Sequence, residues 1–131
     1  MKALDTNILA RYLRDDDDVQ SARAARLMQR AANGSQPLLV NHTVLCELAW
    51  ILTSVYGHSK EEIIKTIESI LSAQFIEFED RDCVQAAFED YKRSKADFAD
   101  CLIGRRNLAF GCESTLTFDR GLRALETFEI Y

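Results

Sequence analysis

The sequence predicts an α/β domain with a central parallel sheet flanked by helices on both faces. Three observations carry this. Short strand-like runs alternate with helical stretches of about 10–15 residues, the kind of crossover that parallel strands need. Only five Gly and one Pro occur in 131 residues, too few for a loop-rich sandwich. Apolar residues make up 47% and charged residues 28%, near globular averages, which excludes disordered and fibrous chains. A chain of this length is one domain's worth, so residues 1–131 are expected to form a single domain.

Lys2–Asp5 reads as a short strand that stops at an acid. Thr6–Arg14 is helical in pattern, with Ile8, Leu9, Tyr12 and Leu13 on one face. Asp15–Asp18 is a charged break, expected to be a solvated loop. An amphipathic helix over Val19–Ala32 then ends before Asn33-Gly34, a C-cap signal. Leu38–Val40 reads as a strand and Thr43–Tyr56 as a helix stopped by Gly57. Ser59-Lys-Glu-Glu62 is a capping box that opens a helix running to about Ser72. Phe75–Phe78 is a strand, Asp82–Ser94 a helix, and Phe98–Phe110 a helix ending at Gly111. Ser114–Phe118 is a strand, and Thr127–Tyr131 a last short one. There is no internal repeat and no Gly-, Ser- or Pro-rich linker.

Several function classes drop out early. No apolar run approaches the ~18–20 residues that span a bilayer. The opening MKALDTNILARYL carries an acid where a secretory signal would be apolar. The expectation is a soluble, cytoplasmic protein with no membrane partner. Cys46, Cys83, Cys101 and Cys112 are scattered, without the paired spacing of a zinc site, and are expected to be reduced and mostly buried. Neither G-x-x-x-x-G-K-[ST] nor G-x-G-x-x-G occurs, which removes the nucleotide-binding readings. The net charge of −5 argues against binding nucleic acid by bulk charge, unless the surplus acids are gathered around cations.

In open α/β sheets the functional crevice lies outside the carboxyl ends of the strands, so the acids there matter most. Asp5 follows the first strand and Asp119 follows Ser114–Phe118; on central parallel strands they would emerge on one rim. Either alone would also serve as a helix N-cap. Glu47 lies between Val44 and Ile51 on a helix whose stripe is Val44, Leu48, Ile51, Leu52 and Val55, which predicts an inward-facing carboxylate. Buried there, it would need a cation or an ion partner; a side chain reaching out to solvent is the other reading. Asp97 and Asp100 share one helix face near Leu102 and Ile103, again a pairing that suggests a cation, although Asp97 would also cap the helix. His42 and His58 are isolated and read as surface or capping residues, and Trp50 and Tyr56 as packing residues. An all-carboxylate set suits Mg²⁺ or Mn²⁺. Such ions orient a phosphodiester, acidify a bound water and stabilise the leaving oxygen.

Leu-Asp5-Thr-Asn7, Glu47, Asp97-Phe-Ala-Asp100-Cys-Leu-Ile and Thr117-Phe-Asp119 together resemble the PIN-domain ribonucleases, above all the VapC-like toxins of type II toxin–antitoxin modules. The resemblance covers essentially the whole chain, with four motifs in order. It implies a magnesium-dependent endoribonuclease (a hydrolase leaving a 3′-hydroxyl and a 5′-phosphate), usually a homodimer, held inactive by a cognate antitoxin protein. By position, Asp5, Glu47, Asp100 and Asp119 match the catalytic, metal-holding quartet. Asp97 matches an extra acid of some members, and Thr6, Asn7 and Thr117 match bracing positions. Cys101 departs from the Ala often found there. Arg11, Arg14, Lys92, Arg93, Lys95 and Arg120 are candidates for holding RNA.

A phosphoacceptor receiver domain, a signalling switch, also pairs a doubly wound sheet with an acidic Mg²⁺ pocket. It needs an acceptor Asp after a middle strand and a Lys after the last core strand. Here Leu38–Val40 leads into Asn41 and His42, only Arg120 and Arg123 follow Phe118, and Glu47 has no counterpart. A PIN domain kept only for binding is disfavoured because all four acids are present.

Overall fold

The computed structural model describes residues 1–14, 18–34 and 36–131. The chain divides into two compact units, Met1–Glu79 and Asp80–Tyr131.

The first unit runs β1 (Lys2–Ala3), α1 (Thr6–Arg14), α2 (Val19–Asn33), β2 (Leu38–Val40), α3 (His42–Ser54), α4 (Lys60–Ser72) and β3 (Ile76–Phe78). The strands pair in parallel in the order β1-β2-β3, with Lys2 opposite Leu38 and Val40 opposite Phe78. Each strand is two or three residues long. Backbone bonds from Leu4 N–H to Leu39 O and from Glu79 N–H to Val40 O extend the ladders by a residue. β2 alternates buried, half-buried, buried, so Leu38 and Val40 enter the core with Leu9, Met28, Leu45, Leu48 and Leu52. Ile63, Ile67 and Ile70 supply the matching stripe of α4. The capping box forms as predicted: Ser59 Oγ accepts from Glu62 N–H at 3.2 Å, and Ser59 N–H donates to Glu62 Oε1 at 3.0 Å.

The second unit runs α5 (Arg81–Arg93), α6 (Phe98–Phe110), β4 (Thr115–Thr117), a 3-10 turn (Arg120–Leu122) and β5 (Phe128–Ile130). β4 and β5 pair in parallel, Thr115 opposite Phe128. Tyr91 of α5 meets Phe98 of α6 edge-to-face, ring centroids 5.8 Å apart. Between these helices the Asp90 side chain is 1% exposed and fully engaged. Arg105 donates to it twice, at 2.7 and 2.9 Å, and Arg93 once at 2.7 Å. Burial pushes the Asp90 carboxyl up, but the Arg105 and Arg93 hydrogen bonds outweigh it and hold the group below its ordinary range. α6 needs a glycine at 104: a Cβ there would sit 2.9 Å from Thr127 Cβ and from Phe128 Cε2. It ends on Gly111 at φ 114, whose N–H returns to the last turn.

The elements follow the predicted alternation, and their ends move by only one or two residues. The strands lie in two parallel ladders, one in each unit. The 3-10 turn carries no periodic signal of its own and was not anticipated. Of the predicted charged break, Asp15–Asp17 lie outside the described residues. Asp18 caps α2, its Oδ1 accepting from Ser21 N–H at 2.7 Å, and pairs with Arg11 at 2.7 Å. No helix among the described residues is long and apolar enough to cross a membrane.

Candidate functional site

In the first unit, β1 runs directly into Asp5, and Asp5 O accepts the first bond of α1 from Leu9 N–H. The Asp5 side chain is exposed, and no hydrogen bond or ion pair engages its carboxylate among the described residues. Thr6, the next residue, is 5% exposed, and its Oγ1 donates to Glu47 Oε1 at 3.0 Å. That bond ties the first turn of α1 to the middle of α3 and orients the Glu47 carboxylate. Asn7 is exposed and lines a cavity of about 340 Å³ against α1 and α2.

Glu47 itself is exposed, which corrects the inward-facing prediction. The buried stripe of α3 is Val44, Leu45, Leu48 and Leu52, while Ile51 is half-buried and Val55 is 62% exposed. Glu47 sits on the flank of that stripe, about 100° around the helix from Leu48. His42 also departs from its surface reading. It is 4% exposed, its backbone N–H donates to Glu79 Oε1 at 2.9 Å, and its Nε2 lies 2.7 Å from Glu79 O. Asn41, not His42, caps α3 by accepting from Val44 N–H.

In the second unit three acids act on one another. Asp97 is the N-cap of α6 and its Oδ1 accepts from Asp100 N–H at 2.8 Å. Asp119 follows β4 and caps the 3-10 turn through Gly121 N–H at 2.8 Å. The hydroxyl of Thr117 accepts from Asp119 N–H at 3.0 Å, bracing the residue from the strand side. Thus the cap reading of Asp97 and Asp119 holds, and capping leaves one oxygen of each carboxylate for another partner. Asp100 is half-buried. Burial first, then the charge of Asp97 and a hydrogen bond with it, then the charge of Asp119, push its carboxyl up to about 6. The residues buried around it on α6 are Phe98, Cys101 and Leu102; Ile103, grouped with them from spacing, is 47% exposed. Burial pushes the Cys101 thiol up to about 11, so it is a packing group rather than a nucleophile. None of the four cysteines is in a disulfide; Cys83 and Cys101 are buried, Cys46 half-buried and Cys112 exposed.

In neither unit do three or more His, Cys, Asp or Glu side chains of the described residues stand at the spacing of a completed metal shell. The donor chemistry nonetheless suits a hard divalent cation, since every candidate ligand is a carboxylate. Burial raises Asp100 most, and the further push from Asp97 and Asp119 is the part a cation would relieve.

Of the basic candidates, Arg11 holds Asp18, Lys92 pairs with Glu89 and Arg93 with Asp90, while the Arg14 guanidinium lies 4.2 Å from the Tyr56 ring centroid. Lys95 and Arg120 are exposed. Two arginines escaped notice in the sequence: Arg23 and Arg30 line the cavity with Asn7 and Arg11. Their separation of seven residues along α2, two helical turns, was the available signal.

Comparison with known proteins gives the same reading as the motifs. The family model described as the PIN domain matches residues 2–127, from β1 to the residue before β5. VapC ribonuclease of Aquifex aeolicus (strain VF5) is 24% identical over 125 residues, which cover 95% of this chain and 92% of that protein. With a match running through both units and with Asp5, Asp97, Asp100 and Asp119 at strand and helix ends within it, the chain belongs to the PIN-domain family and is similar to VapC ribonuclease.

Proposed function

We propose that this protein is a divalent-metal-dependent endoribonuclease, the toxin of a toxin–antitoxin pair, with Asp5, Glu47, Asp100 and Asp119 as its acids and both units belonging to a single PIN-like domain. In this reading it works in the cytoplasm as a homodimer, and a cognate antitoxin protein silences it. The observation that carries the proposal is the trio Asp97, Asp100 and Asp119: Asp97 caps α6, Asp119 caps the turn after β4, and Asp100 between them is raised by burial and by both acids. The family match and the name of its relative support the substrate class.

Asp5, Glu47, Asp100 and Asp119 would hold Mg²⁺ or Mn²⁺, which when bound supplies an acidified water and positive charge for the phosphate. The chain's own residues do the positioning. Thr6 holds the Glu47 carboxylate, Thr117 and Gly121 hold Asp119, and Asp97 fixes the first turn that carries Asp100. Carboxylates held in this way need little rearrangement to receive a cation.

The test is cleavage of a labelled single-stranded RNA by the purified protein with Mg²⁺, with Mn²⁺ and with excess EDTA. Internal cuts in either metal, lost in EDTA and lost in Asp100→Asn, are expected. Full cleavage in EDTA would overturn the proposal.

A further inference from the structure

The cavity of about 340 Å³ in the first unit has a lining that the acid site does not explain. Arg11 comes from α1, and Arg23 and Arg30 from α2, around an apolar floor that includes Ile8 and Leu27. This is a concentration of positive charge in a chain whose net charge is −5. Arg11 is engaged with the Asp18 carboxylate at 2.7 Å, so its guanidinium already holds an oxyanion. Arg23 and Arg30 are exposed, and neither has a hydrogen bond or ion pair among the described residues. Seven residues apart, they stand about 10 Å apart along α2, too far for both to hold one small anion and enough to reach separate phosphates of one strand. Asn7, in the same lining, is two residues from Asp5, so cavity and candidate acid share the first turn of α1.

We propose that this cavity is a subsite for the RNA strand beside the scissile bond, with Arg23 and Arg30 taking phosphates, Arg11 releasing Asp18 to join them, and the Ile8–Leu27 floor receiving a base. The inference rests on the nuclease reading and adds where the strand lies. Continuity with Asp5 favours a nucleic-acid strand over an acidic peptide. Guanidinium groups suit phosphate because they present paired donors and stack on bases.

The experiment measures binding of a fluorescein-labelled 12-nucleotide single-stranded RNA to the full chain in EDTA by anisotropy, over a range of salt. Removing two phosphate contacts lowers the slope of log affinity against log salt by about 1.4 for a single strand. Arg23→Gln/Arg30→Gln should therefore bind about 10–25-fold more weakly at 0.1 M salt and show that flatter slope. Arg26→Gln/Arg123→Gln removes the same charge from exposed positions outside the cavity and should change affinity by less than about twofold. Equal affinity and slope for wild type and Arg23→Gln/Arg30→Gln would overturn the proposal, as would an equal loss in the control pair. Unchanged RNA binding together with weakened binding of a labelled poly-glutamate peptide would assign the cavity to an acidic protein segment and also overturn it. Failure of the nuclease reading looks different: with Mg²⁺ the wild type leaves the same RNA intact, whatever the anisotropy contrast.

Discussion

Replacing Asp100 with Asn should make the metal-free protein more stable. The Asp100 carboxyl is raised from an ordinary 3.8 to about 6, by burial and by the neighbouring Asp97 and Asp119. Each tenfold change in proton affinity corresponds to about 1.36 kcal/mol, so the full cost of the charged form at pH 7 is about 3 kcal/mol. Asp100 is only half-buried, and solvent screening brings the expected gain to about 1–2 kcal/mol. Asn resembles the protonated acid: its amide can donate to Asp97, and its backbone N–H still meets Asp97 Oδ1. Between pH 4 and 6 the native state binds more protons than the unfolded chain, so wild-type stability falls as pH rises through that window. The advantage of Asn should be fully present above about pH 6 and vanish below about pH 4. For 131 residues, 1–2 kcal/mol is a rise in Tm of about 4–7 °C. The assay is thermal unfolding of both proteins in EDTA from pH 4 to 8. A loss of stability on substitution, or a gain that ignores pH, would refute the electrostatic account of Asp100.

Mg²⁺ should raise the Tm of the wild type by mass action and raise that of Asp100→Asn less, read by the same melts with and without the ion. Asp90→Ala should cost about 3 kcal/mol, because it removes the buried carboxylate that Arg105 and Arg93 share and leaves Arg105 only the exposed Glu126 at 3.2 Å; denaturant melts measure this. The lowered carboxyl of Asp90 contributes stability that is complete above its unfolded value near 4 and is lost as pH falls further, so Asp90→Asn should flatten the acid limb of the stability profile. Gly104→Ala should destabilise by about 1–3 kcal/mol through overpacking against Thr127 and Phe128, and Thr127→Ser should not rescue it, since serine keeps the Oγ that the new Cβ meets first and Phe128 Cε2 stays 2.9 Å away.

The alternation of strand and helix was legible because each helix carries its own local signals, such as the Ser59–Glu62 box and the glycine after Phe110. The placement of Asp97, Asp100 and Asp119 at element ends was legible for the same reason: Asp at a cap is a local preference. Glu47 failed because spacing from Val44 and Ile51 does not say which edge of a stripe is wet, and on α3 the buried arc is centred between Leu45 and Leu48. His42 failed because its partner, Glu79, is 37 residues away at the end of β3, and pairing at that range leaves no periodic trace. The Asp90–Arg105 pair and the arginine-lined cavity are tertiary in the same sense. Each joins side chains of two helices whose facing sides only packing decides.

Asp97 and Asp119 each give one oxygen to a backbone amide, and those two amides, on Asp100 and Gly121, become reporters. An amide bonded to a carboxylate exchanges with solvent deuterium only when that bond opens. The exchange rates at Asp100 and Gly121 therefore record how often each acid leaves its post, without a substrate or a metal in the tube. A ligand that draws on the free oxygen while leaving the cap intact would slow both rates. One that pulls the whole carboxylate away would speed them, so two amide signals distinguish occupation of the acids from their displacement.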